Sequence, residues 1–241
     1  MGKEKALLDT ITREKVIFVY TLIAIGMVVL STCTRAAESF SSPGLSPDES
    51  FNLVSGAVLD SGLLFGVGLV LLSQSYLLSV PRASGMLSLR LTGFPYRRRF
   101  FRCILGVSFL VLSLYFSGLI VTMILQLRGW RIEDRFLGHA LSALVKVGMM
   151  LAVLMLAGFT FELLTGLPGP VGSLCYLFLT SELCAFLSSK LGTAPYIACC
   201  LSGRPVKDFS PVAPLECVFF AAQVLVLWYA GVISIERRDF C

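Results

Sequence analysis

Polar residues are gathered into short clusters along this chain, and the runs between them stay apolar for the length of a membrane crossing. Residues 103–127 hold 25 positions without a charge, residues 61–80 hold 20, and residues 217–235 hold 19. A helix needs about 20 apolar residues to cross the hydrocarbon core of a bilayer. The pattern predicts an all-α fold: a polytopic membrane helix bundle of about six transmembrane helices, forming one transmembrane domain over residues 1–241. The expected spans lie near 16–33, 54–80, 103–127, 136–164, 171–189 and 214–235. Between the fourth and fifth, Thr165-Gly166-Leu167-Pro168-Gly169-Pro170 ends one helix and turns the chain, since proline cannot donate the N–H that a helix interior requires.

Two further segments belong to this layout. Leu7, Leu8 and Ile11 fall on one side of a helix before Val16, which suits an N-terminal interfacial helix or a cytosolic tail. The first apolar run has no small-residue cleavage pattern behind it, so no cleavable leader is expected. Residues 190–213 form an outer hydrophobic segment whose eleven mostly apolar positions, 191–201, are too short to span.

Composition agrees. The chain is 56% hydrophobic and 15% charged, against about 25% charged in soluble domains. The net charge of +5 does not point to nucleic acid, because six of the twenty basic residues sit in 81–102, between two spans. With the N-terminus inside, the inner segments carry twelve Lys and Arg and the outer ones seven. Positive residues favour the cytoplasmic side. The expected location is therefore the inner (plasma) membrane, multi-pass, with both termini cytoplasmic.

Catalytic chemistry is absent from the pattern. There is no GxxxxGK[ST] phosphate loop, no HExxH and no GxSxG. Eight cysteines without a CxxC pair and a single histidine, His139, give no metal site. Cys33, Cys199, Cys200 and Cys217 fall on the outer side, as a disulfide or as reduced packing residues. Three charges interrupt apolar spans: Asp60, Lys146 and Glu182. At about 1.5 Å per residue they lie roughly 9, 15 and 10 Å below the outer surface. Charges at such depth are costly against lipid and turn inward. Lys146 is expected to pair with Asp60 or Glu182, either lining a polar path or fixing helix packing.

The stretch from Pro81 to Gly106 reads PRASGMLSLRLTGFPYRRRFFRCILG. It resembles the cytoplasmic loop between the second and third spans of type-2 ABC transporter permeases, the small six-span exporter subunits. Gly85, Leu87, Leu89, Leu91, Pro95, Arg97 and Gly106 take the places of that family's glycine, leucine, proline and basic positions. The family usually has glutamates before the first glycine, where this chain has Pro81-Arg82-Ala83-Ser84. The resemblance implies a coupling loop over 81–102, with Arg82, Gly85, Met86, Leu89, Arg90, Gly93, Pro95 and Arg97 against a separate cytosolic ATPase. It further implies a homodimer or a pair with a paralogous permease, surrounded by membrane lipid. The chain itself would hold no cofactor and do no covalent chemistry, with ATP and magnesium on the partner ATPase. A haem or cytochrome-maturation exporter component shares the six-span layout. A non-transporting scaffold subunit is the alternative from another class.

Overall fold

The computed structural model describes residues 2–40, 47–80, 94–129, 137–177 and 214–237. All are helices or the turn between two of them, with no strand among the described residues. Helix α1 spans Gly2–Phe40, α2 spans Pro47–Gln74, α3 spans Phe94–Gly129 and α4 spans Leu137–Thr165. Helix α5 begins at Gly169 and is described over 169–177. Helix α6 spans Pro214–Arg237. Four stretches are long and apolar enough to cross a membrane: Lys15–Arg35, Phe51–Ser79, Phe100–Arg128 and Ala140–Thr165. A shorter apolar stretch, Phe220–Ile235, lies in α6. The outer segment 190–213 and most of the expected fifth span fall outside the described residues.

Local chemistry explains where these helices start and stop. Helix α2 opens on Pro47-Asp48-Glu49. Proline fits a first turn whose N–H needs no partner, and the acids complement the positive end of the helix. Helix α3 also has a proline in its first turn, at Phe94-Pro95, but no acid there. It therefore includes Pro95, Arg97 and Arg102, which the sequence places in the loop before the third span. Arginine is a good helix former, so the helix runs past the bilayer edge that hydropathy marks. Residues 2–15, expected as an interfacial helix or a tail, join the first span in one uninterrupted helix.

Helices α2 and α4 form the axis of the bundle. The share buried is 56% and 61% in their spans, against 28% in those of α1 and α3. Helix α1 packs on α2 and α3, α2 packs on α3 and α4, and α6 packs on α4 and α3. Val58, Leu69, Val111, Tyr115, Leu119, Leu144, Leu151, Leu154 and Phe159 fill the centre.

Between apolar helices in lipid, close approach and hydrogen bonds hold the packing rather than the hydrophobic effect. Gly62 and Gly66, four apart on α2, are where α3 and α4 come in: a Cβ on Gly66 would stand 2.6 Å from Leu151 Cδ1 and 3.1 Å from Tyr115. Tyr115 donates its hydroxyl to the Gly62 carbonyl at 2.7 Å. Thr160 of α4 donates to the Leu227 carbonyl of α6 at 3.0 Å.

Gly66→Val is expected to destabilise the bundle by about 1–3 kcal/mol through overpacking. Gly26→Val is the control, since nothing lies within 4 Å of a Cβ there. Thermal unfolding in mild detergent checks both. Equal melting temperatures for the two variants would contradict the close approach.

Candidate functional site: a polar clamp where α2, α4 and α5 meet

Helix α2 does not stay α-helical to its end. Ser75–Ser79 form one π-helical turn, closed by the Val80 N–H donating to the Ser75 carbonyl. Such a turn stacks residues five apart, which an α-helix would separate by about 140° at roughly 100° per residue. Gln74 and Ser79 bracket this turn. Both side chains reach across to α4 and α5.

Gln74 is fully buried. Its Nε2 donates to the carbonyls of Leu154 at 3.1 Å and Met155 at 3.2 Å. Its Oε1 accepts from the Ser173 hydroxyl at 2.9 Å. That hydroxyl also stands 3.1 Å from the Leu154 carbonyl. Gly158 makes the arrangement fit: a Cβ there would overlap the Gln74 amide and Ser173 Oγ.

One helical turn beyond Gly158 stands Glu162, only 1% exposed. Its Oε2 accepts the Ser79 hydroxyl at 2.6 Å and the Gly169 N–H at 2.8 Å. The turn between α4 and α5 is built to deliver that N–H. Gly166 adopts φ 85°, a left-handed conformation open to glycine. Its N–H bonds the Glu162 carbonyl at 2.9 Å. The Leu167 N–H bonds Thr165 Oγ1 at 3.1 Å. The Pro168 carbonyl then accepts from Val171 at 3.0 Å, opening α5. Glu162 thus closes the turn with its backbone carbonyl and caps α5 with its side chain.

The residues singled out from sequence fall elsewhere or outside the description. Asp60 lies beside Arg35 of α1, with Nη1–Oδ2 at 3.7 Å and both side chains more than half exposed. Lys146 is buried in α4. It stands sixteen residues before Glu162, roughly 24 Å along the helix. Glu182, Arg82, Gly85, Met86, Leu89, Arg90 and Gly93 lie outside the described residues. Pro95 and Arg97 lie in the first turn of α3. Cys33 is a free, exposed thiol, and Gln126 Nε2 lies 3.0 Å from its Sγ.

Gln74, Ser79, Glu162 and Ser173 were not read as a site from sequence. The legible signal was Gly158 and Glu162 one turn apart, just before a Gly-Pro turn. Elsewhere, a groove of about 310 Å³ runs between α3 and α4. Its lining, including Phe109, Leu112, Phe116, Met149 and Leu151, is apolar. No group of three or more His, Cys, Asp and Glu side chains comes together among the described residues. The side chains of the clamp bond one another and the backbones of α4 and α5, and so tie three helices together. Comparison with known protein families, with curated proteins and with solved structures finds no match to this chain.

Gln74→Leu is expected to cost about 1–2 kcal/mol, three interhelical hydrogen bonds at roughly 0.6 kcal/mol each. Ser173→Ala should cost less, because the Gln74–α4 bonds survive it. Unfolding of purified variants in detergent measures both losses. A Gln74→Leu protein as stable as the parent would remove the amide from the clamp.

Proposed function

We propose that this chain is the membrane-spanning permease subunit of an ABC-type exporter, coupled through residues 81–102 to separate cytosolic ATPase subunits. The observation that carries the reading is the run from Pro81 to Gly106, with its glycine, leucine, proline and arginine positions in the order of type-2 permease coupling loops. The all-helical bundle with four membrane-length apolar helices is the architecture such a subunit needs. Helices α5 and α6 are read as the fifth and sixth spans. The excess of Lys and Arg on the segments read as inner supports cytoplasmic termini, and the reading places the protein in the inner membrane.

In this reading two copies, or one copy and a paralogue, line the path. ATP and magnesium act on the partner subunits. This chain contributes shape and movement. The arginines of 81–102 meet anionic lipid headgroups and partner carboxylates, while Met86, Leu89 and Gly93, three and four apart, present one face to the ATPase.

Affinity purification from the native membrane tests the reading, with the parent chain expected to bring down an ATPase. Leu89→Asp should leave membrane insertion unchanged and weaken capture about tenfold or more, the equivalent of about 1.4 kcal/mol of lost apolar contact. Arg90→Glu should weaken it as well. Unchanged capture in both variants would overturn the coupling assignment and favour a scaffold subunit. Topology is checked separately: with Cys241 as the sole cysteine, a membrane-impermeant thiol reagent should modify it only after the inner face is opened.

A further inference from the structure

We infer that water enters along one face of α2 and reaches Asp60, so that the Arg35–Asp60 pair is the floor of an aqueous recess within the membrane. Charges mark one end of the membrane-length helices: the α1 stretch ends at Arg35 and the α3 stretch at Arg128. These two ends lie at one level, because Gln126 of α3 reaches Thr32 and Cys33 of α1. Asp60 lies deeper. A Cβ on Gly62, two residues on from it, would stand 3.1 Å from Leu119 Cδ2 of α3. Helices α2 and α3 run antiparallel, since Gly66 in turn faces Tyr115. Asp60 therefore stands opposite Val121, seven residues short of Arg128 and so roughly 10 Å inside the charged end.

The Asp60 side chain is nevertheless 62% exposed. A charge at such depth is costly against lipid and turns to a partner or to water. Arg35 is a partner at 3.7 Å, but its own side chain is 54% exposed, so the pair is open on one side. An ion pair taken out of water keeps much of its desolvation cost. Water on the open side removes that cost.

The face of α2 that carries Asp60 suits water up to the charged end. Asn52 and Asp60 are exposed with Gly56 between them, each four residues from the next and so on one side of the helix. Nothing lies within 4 Å of a Cβ built on Gly56. Val54, Val58 and Leu59 turn the other way and are buried. The exposed faces of α1 and α3 carry Leu22, Leu30, Val121 and Leu125 instead, which suit acyl chains. One turn deeper on the α2 face, Leu64 is exposed and apolar. The recess ends there. It depends on α1, α2 and the bilayer, and stands whether or not an ATPase binds the chain.

The test places single cysteines in a cysteine-free full-length chain. Membrane fragments open on both faces are treated with a membrane-impermeant thiol reagent. Asp60→Cys and Val121→Cys put thiols at one depth, the first on the polar face of α2 and the second on an exposed apolar face of α3. Asp60→Cys is expected to react about tenfold faster or more, because the reactive thiolate forms in water and is suppressed in apolar surroundings. Equally slow labelling would overturn the recess, since Asp60 would then face lipid or protein. Equally fast labelling would overturn it as well, since the bilayer edge would lie below both residues.

The parent chain carries a second test, which decides the matter should Asp60→Cys fail to insert. A water-soluble carbodiimide with a charged amine should convert the Asp60 carboxyl to an amide, located by mass spectrometry, and leave the buried Glu162 unmodified. Modification of Asp60 by a lipid-soluble carbodiimide alone, or by neither reagent, would refute the recess.

Discussion

The first turn of a helix leaves backbone N–H groups with no carbonyl to bond, and a buried helix start has no water to satisfy them. Helix α5 begins in such a place, at the buried residue Gly169. Its N–H is met by the Glu162 carboxylate, which comes from the helix just left. Much of this end of the bundle follows from this contact. The chain must reverse within four residues, so Gly166 takes a left-handed conformation and Pro168 supplies the first acceptor of the new helix. Ser79 must arrive on the same side of α2 as Gln74, and the π turn brings it there.

The remaining helices are held by a different economy. In lipid the hydrophobic effect does not draw apolar helices together, so contact depends on small residues and on polar groups that find partners. Gly62, Gly66 and Gly158 supply the first, each lying against side chains of a neighbouring helix. Tyr115, Gln74 and Thr160 supply the second, each reaching a backbone carbonyl of another helix. Helices α1 and α3 carry many exposed apolar residues, among them Leu22, Leu30, Phe109 and Leu125. Those faces suit a hydrocarbon surrounding, and they leave α2 and α4 as the pair that fixes the shape.

Sequence reading found the helices more readily than the contacts. Apolar runs located the four long spans because length and apolarity are what a bilayer selects. The start of α3 at Phe94 was missed because arginines read as loop, although they extend a helix into water without difficulty. Glu162 was passed over because a carboxylate at the end of an apolar run looks like a boundary, and one of its partners is a backbone N–H that no side-chain pattern reveals. Gln74 carries no charge and so escaped a search for intramembrane charge. Similar depth suggested that Lys146 pairs with Asp60 or Glu182; Asp60 lies beside Arg35, because α1 packs along α2, and Glu182 lies outside the described residues. Helix adjacency is a tertiary fact. The functional proposal leans on the sequence of residues 81–106.

The cap on α5 is the claim on which this account depends, and residue-resolved amide exchange of the unmodified chain in nanodiscs tests it most directly. The Gly169 N–H, buried and donated to Glu162, should exchange far more slowly than the exposed Leu167 N–H, whose partner is the Thr165 hydroxyl. Exchange of Gly169 as fast as that of Leu167 would mean that the carboxylate does not hold it, and the clamp built around Glu162 would fall with that contact.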